Sequence, residues 1–472
     1  MKLFSIFVLL SVWLLSAQAA KSDYNIFCYW DGQSNMRKYR SVYQYWDVNT
    51  KYCTHLVYGS TLGLDPAGSG NVEFEYPEEY IDFNHMAKYK NLKNVQIKSI
   101  ISIGNWRDQS SLISEMISDT RKRDQFYTSL IGVLYKTGVQ GVQINWQFPA
   151  HRHMHSKDRE NFVTFLHELK IVLDEHKFML MVAVSARLDE KTLAAYDIPS
   201  IMKYADFVSL LVHNHQDPYS RQLSYNAPLS GDKLKSVESC VAHWVKHSKM
   251  PSKLLLAIPL FGQTYTMASS NTTVGSASKG PGRQQQASLR PGYTTFGEFC
   301  TQSGKWQRKF DNVTQVPYAY KDDQWISYED GRSISAKTHV VEQQHLGGVL
   351  VMSLDADDTQ AACGERFALL RVIISVIGDP DSLTTQAATT ESTGLCPRDG
   401  FFRNMWECDL YYECRDTKRF DYECVKGYYF DEKLGECQPA SQVECKQNFV
   451  TWRPGQKLYN FKNLPLNLKI VQ

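Results

Sequence analysis

Four side-chain amides fall in one short stretch, Gln140-Gly141-Val142-Gln143-Ile144-Asn145-Trp146-Gln147-Phe148-Pro149. Gln143, Asn145 and Gln147 alternate with Val142, Ile144 and Trp146. This is the period-two pattern of a strand whose amides share one face and whose apolar residues share the other. Amides so spaced can grip a ligand by donating and accepting hydrogen bonds, or simply fill the interior of a fold. What they cannot do is protonate a leaving group, because an amide has no proton to give at any useful pH. Two other groupings could carry chemistry. His151, His153 and His155 alternate along the chain, but without an acidic or cysteine partner nearby they predict a solvated loop and no metal. Asp355, Asp357 and Asp358 form a carboxylate cluster expected to cap the helix that follows.

Short β-rich runs interleave with amphipathic stretches from residue 25 to about 375. The predicted strands are Ile26–Trp30, His55–Gly59, Lys98–Ile103, Gly141–Asn145, Met179–Ser185, Phe207–Val212, Leu254–Ile258 and Gly348–Met352. Helical periodicity is clearest in Asp158–Leu173, where Phe162, Phe165, Leu166, Leu169 and Leu173 fall on one face. Eight strands alternating with helices predict an α/β protein, a (β/α)8 TIM barrel, with a doubly wound open sheet as the alternative. Between the seventh and eighth strands the chain is too long for a structureless loop, so a small α+β insertion is expected at about 264–340. In such a barrel the amide row opens at the carboxyl ends of the strands, where sites form.

The ends of the chain differ in composition. Lys2, the apolar run Leu3–Leu15 and the small-residue pattern Ala17-Gln18-Ala19 predict a signal peptide over 1–19 and a secreted, extracellular protein. The barrel then occupies 20–378, a Thr/Ser-rich linker 379–394, a cysteine-rich module 395–446 and an unassigned tail 447–472. Lys and Arg total 52 against 50 Asp and Glu, a net charge of +2. That balance gives no basis for binding nucleic acid or an anionic membrane surface. Eleven cysteines suit disulfides in a secreted protein and leave one thiol over, expected to be Cys240. The sequons at Asn271 and Asn312 are candidate glycosylation sites.

The segment Gln140–Pro149 resembles the D-G-x-D-x-D-W-E-x-P signature of family 18 glycoside hydrolases, the chitinases and chitinase-like lectins. Matches to Ser102-Ile103-Gly104-Asn105-Trp106, Ile258-Pro259-Leu260-Phe261-Gly262 and Ser353-Leu354-Asp355-Ala356-Asp357-Asp358 extend the resemblance over about 350 residues. In that family the position of Gln147 is the acid that protonates the glycosidic oxygen. The position of Asn145 is the aspartate that holds the substrate acetamide, whose own oxygen attacks the sugar. The resemblance therefore implies a barrel that has lost its catalytic groups. It also puts His213 and Asn214 where the family has the assisting tyrosine and aspartate, Gln263 in place of an arginine, and Met352 in place of the tryptophan flooring a sugar subsite. Methionine lacks the flat π-face of tryptophan. A groove lined by Trp106, Gln147, His213, Gln263 and Met352 either keeps a glycan or has turned to another ligand, and both readings stay open.

Six cysteines at intervals of 11, 5, 9, 12 and 7 residues close the chain. With Tyr411-Tyr412-Glu413-Cys414 and Gly427-Tyr428-Tyr429-Phe430-Asp431 they resemble the peritrophin-type chitin-binding domain of invertebrates. Sequence alone permits fifteen pairings. The resemblance implies Cys396–Cys414, Cys408–Cys445 and Cys424–Cys437, and in the barrel Cys28–Cys53 and Cys300–Cys363. It also implies that Trp406, Tyr411, Tyr412, Tyr428, Tyr429 and Phe430 supply rings for N-acetylglucosamine, some of them serving as the module's core instead. Barrel, linker and module together are similar to the chitinase-like allergens of mites. The expected function is a secreted, monomeric, chitin-binding protein without hydrolase activity and without a cofactor, binding chitin or N-acetylglucosamine oligomers. The alternative is a barrel that recognises protein, with the module as a chitin tether; a weakly active glycosidase ranks below both.

Overall fold

The computed structural model describes residues 24–37, 42–44, 47–48, 52–74, 97–104, 110–147, 149, 157–213, 219–285, 288–378, 400–403, 410–415, 418–424, 428–431 and 434–443. The chain forms two compact units that divide between 387 and 388.

In the first unit, eight parallel strands form a closed barrel: Asn25–Asp31, His55–Leu64, Lys98–Ile103, Gly141–Asn145, Met179–Ser185, Phe207–Leu211, Leu254–Pro259 and Gly348–Met352. The first strand pairs with both the second and the eighth, Phe27 opposite His55 and Asn25 opposite Gly348, so the sheet has no free edge and the open-sheet alternative is excluded. Closure requires close approach. Gly348 has φ 144°, and a Cβ there would lie 1.9 Å from the Asn25 carbonyl oxygen, so only glycine fits. Side chains alternate between two cores. Phe27, Tyr29, Val57, Ile100, Met181, Ala183, Leu211, Leu255, Ala257 and Leu350 fill the barrel. Val142, Ile144 and Trp146 face the helices, joining the outer core.

The helix Asp158–Glu175 buries Phe162, Phe165, Leu166, Leu169 and Leu173, the stripe that the sequence marks. Asp119 opens the preceding helix, Thr120–Thr137, by accepting from the Arg121 and Lys122 amides, and Gly138 closes it with φ 67°. Cys28–Cys53 and Cys300–Cys363 are bonded, enclosing separations of 25 and 63 residues. Each such bridge contributes ~2–4 kcal/mol, on the chain-entropy account by restricting the unfolded chain. Cys240 is a free, buried thiol, and burial pushes its pKa up to about 12.

The insertion between the seventh and eighth strands is an antiparallel sheet built on Phe261–Met267, with Ser278–Pro281, Tyr293–Thr295, Gln307–Asp311, Val316–Lys321 and Gln324–Ser327. It begins at Phe261, ahead of the expected 264. The seventh barrel strand ends at Pro259, and Phe261, Gly262 and Gln263 then pair with Thr295, Thr294 and Tyr293.

The amino end of the barrel carries a pH-sensitive group. His55 is buried and stacks on Phe27 with centroids 4.0 Å apart. Its Nδ1 lies 2.8 Å from Thr54 Oγ1. Burial, and then the charge of Lys98, pulls its pKa from 6.5 down to about 4. The unfolded chain therefore takes up this proton first, and His55 withdraws stability as pH falls from 6.5 to about 4. Asp357, pushed up to about 6 mainly by burial, acts in the opposite direction, so the His55 effect is isolated by comparison with a variant. The stability of wild type relative to His55→Gln, measured by urea unfolding, is expected to decline between pH 7 and pH 4.5; a constant difference would refute the assignment.

In the second unit, Gly400–Arg403, Leu410–Arg415 and Lys418–Glu423 form an antiparallel sheet, and Tyr428–Asp431 pairs with Glu436–Pro439 as a hairpin. The Cys424–Cys437 disulfide ties the end of the sheet to that hairpin. Cys414 is also disulfide-bonded. Cys396, Cys408 and Cys445 lie outside the described residues, and so do the linker and the tail.

Candidate functional site

The fourth strand carries its amides into the barrel as its alternation requires. Gln143 is wholly buried: its Oε1 accepts from Ser102 Oγ at 3.0 Å and its Nε2 donates to Ser209 Oγ at 3.4 Å. One amide thus bridges the third and sixth strands. Nearer the mouth, Gln147 Nε2 donates to Asn145 Oδ1 at 3.2 Å. The backbone beneath this pair is fixed. Tyr196 donates its hydroxyl to the Gln147 carbonyl at 2.7 Å, and Trp146 Nε1 donates to Ser110 Oγ at 3.2 Å. Gln140 belongs elsewhere. At the entry of the strand its Oε1 accepts from the Ser99 amide and its Nε2 donates to the Gly138 carbonyl, which ties this turn to the third strand.

Around the mouth, His213 is buried with its ring edge-on to Phe261 at 5.3 Å. Gln263 is buried on the first strand of the insertion. Met352 ends the eighth strand, half-buried, and packs against both cores. Trp106 and Asn214 lie outside the described residues, as does the run His151, His153 and His155.

Two neighbours of this site escaped the sequence reading. Tyr29, on the first strand, lies over Gly59 of the second, where an added Cβ would fall 2.0 Å from the tyrosine oxygen. The absent side chain makes room for the ring. A glycine inside a strand pattern signals such close approach, but its partner depends on cross-strand register.

The three aspartates beyond the eighth strand divide their work, so the expectation that the cluster caps one helix is corrected. Asp357 alone caps, accepting from the Leu369 and Leu370 amides. Asp358 accepts from the Gln360, Ala362 and Cys363 amides. Asp355 pairs with Arg37 and accepts from the Asp31 amide at 2.9 Å. The loop turns back on itself, which gives each carboxylate a different set of donors. Asp355 is matched by the Arg37 guanidinium, and the amide row adds no charge to this rim.

The module holds its own aromatic site. Tyr411 and Phe430 stack face to face, centroids 4.1 Å apart and planes at 6°. Phe430 is fully buried, which corrects its expected place on a sugar-binding surface. A module with so few apolar residues needs that ring for its core. Tyr412 points to the opposite side of its strand and stacks on Phe402 at 5.4 Å, both half-buried. Tyr428 is 39% exposed and Phe401 44% exposed. Phe401 and Phe402 were not among the sequence candidates, because no cysteine spacing frames them. Trp406 lies outside the described residues.

The frame of the site is thus a closed eight-stranded barrel with an α+β insertion before its last strand and an amide row at the mouth of the fourth. The chain belongs to the Glycosyl hydrolases family 18, which it matches over residues 25–357, and residues 396–445 match the Chitin binding Peritrophin-A domain. Chitotriosidase-1 of Mus musculus is 26% identical, over 81% of this chain and 88% of its own. The chitinase-like mite allergen Der p 18.0101 of Dermatophagoides pteronyssinus is 27% identical, over 84% of this chain and 87% of its own. The crystal structure of the Group IV chitinase of Ostrinia furnacalis superposes with a TM-score of 0.71 at 27% identity, covering 75% of this chain and all of that one.

Proposed function

We propose that this chain is a secreted chitin-binding protein that does not hydrolyse chitin. The observation that carries the reading is the Gln147–Asn145 pair, an amide donating to an amide at the mouth of the fourth strand. A glycosidase of this family needs a proton donor there, and the pair has none to give. Binding is assigned first to the module, on the strength of its match to a chitin-binding domain and its half-exposed aromatic rings. Secretion is supported by the disulfides Cys28–Cys53, Cys300–Cys363 and Cys424–Cys437, which persist in oxidising compartments. Asn271 and Asn312 are both exposed, as glycan acceptors must be.

Incubation of the pure protein with chitin tetramer tests the catalytic half of the reading: intact tetramer is expected, and enzyme-dependent release of shorter sugars would overturn it. A second reading assigns the barrel to recognition of protein, with the module as tether. Met352, an adaptable thioether where the family has a flat ring, favours it.

A further inference from the structure

The helix Val237–Ser248 follows the sixth barrel strand and buries Val237, Cys240, Val241, Trp244 and Ser248. His243 and His247 lie off that face, four residues apart and therefore stacked by one helical turn. Their ring centroids are 4.1 Å apart with planes at 35°. His247 is exposed and His243 half-buried. His247 Nδ1 lies 2.7 Å from the His243 carbonyl oxygen. A carbonyl only accepts, so this nitrogen carries the hydrogen and the ring's lone pair is at Nε2. One ring nitrogen donating to a backbone carbonyl while the other is open is the arrangement that orients metal-ligating histidines.

A further feature favours a cation here. The pair occupies the last turns of the helix, where the peptide dipoles present their negative end.

We propose that His243 and His247 form a surface site for a late first-row divalent cation of the Zn2+ class, for which imidazole is a suitable ligand. Two imidazoles fill half of a tetrahedral shell. Among the described residues the one grouping of three ligand-type side chains is Cys300, Asp358 and Cys363, and the Cys300–Cys363 disulfide removes both of its thiolates. Among the described residues no third such side chain joins the histidine pair; with water filling the remaining positions, the ion exchanges readily. The site shares no residue with the amide row or with the aromatic module, and it does not depend on the chitin-binding reading.

The test is calorimetric titration of Zn2+ into the full-length, tag-free protein, alongside His243→Gln and His247→Gln. The wild type is expected to show a binding event that each variant weakens by about tenfold or more. Zn2+ should raise the Tm of the wild type and leave that of the variants unmoved. Should His243→Gln lower the Tm without metal, the exposed His247→Gln alone decides. Variants that bind Zn2+ as tightly as the wild type overturn the site, as does a wild type that binds none.

Discussion

Gln147→Glu alone is expected to leave the protein inactive on chitin tetramer, although it restores the residue type of the family's acid. General acid catalysis is worth ~10²–10⁴ in rate, but only if the acid holds its proton at working pH. A glutamate at position 147 would face Asn145, whose amide can rotate to donate to the carboxylate. A hydrogen bond to the charged form lowers the pKa, which leaves the new group ionised and unable to protonate a leaving oxygen. An aspartate at position 145 acts in the opposite sense, because like charges in contact raise one pKa of the pair. The double variant Gln147→Glu/Asn145→Asp is therefore the first in which turnover is expected. His213 and Met352 keep even that turnover low, as neither replaces a tyrosine hydroxyl or a flat ring. Release of reducing ends over a day, with heat-inactivated protein as the blank, measures both. Robust turnover by the single variant would sink the argument that the loss is cooperative.

Removal of residues 395–446 is expected to abolish retention on insoluble chitin, and the ring substitutions within the module should separate into two kinds. Phe430→Ala takes a fully buried ring from a stack with Tyr411, at a cost of ~3–5 kcal/mol, which a module this small cannot absorb. It should lose both fold and binding. Tyr412→Ala removes half of the Phe402–Tyr412 stack on the other side of the sheet. It is expected to weaken retention by about tenfold, or ~1.4 kcal/mol, with the Tm of the protein unchanged. Chitin co-sedimentation of both variants beside the wild type provides the comparison. If the deletion leaves chitin retention intact, the barrel holds the sugar, and the non-catalytic groove becomes the principal site.

The amide row was legible before the structure because its signal is local. A period of two along a strand decides which side chains enter a barrel, and Gln143, Asn145 and Gln147 obey it. The eight strands were legible for the same reason, to within a few residues; the second alone runs well past its expected end, to Leu64. What stayed hidden depends on contacts distant in sequence. Tyr29 over Gly59 requires the register between two strands, and the division of labour among Asp355, Asp357 and Asp358 requires the path of a loop. Phe430 was misplaced because in so short a module the same aromatic residues serve core and surface, and only packing separates them. The histidine pair on Val237–Ser248 was readable as an i, i+4 spacing but was masked by the denser run at His151, His153 and His155.

Gln143 receives a hydrogen bond from one serine and gives one to another, across the interior of the barrel. A serine hydroxyl is a rotor that donates as readily as it accepts. With an acid at this position both serines would turn to donate, and with an amide one of them turns back. Either group at this position leaves no buried hydrogen-bonding partner stranded, so the two serines let the barrel interior accept an acid or an amide with the same backbone.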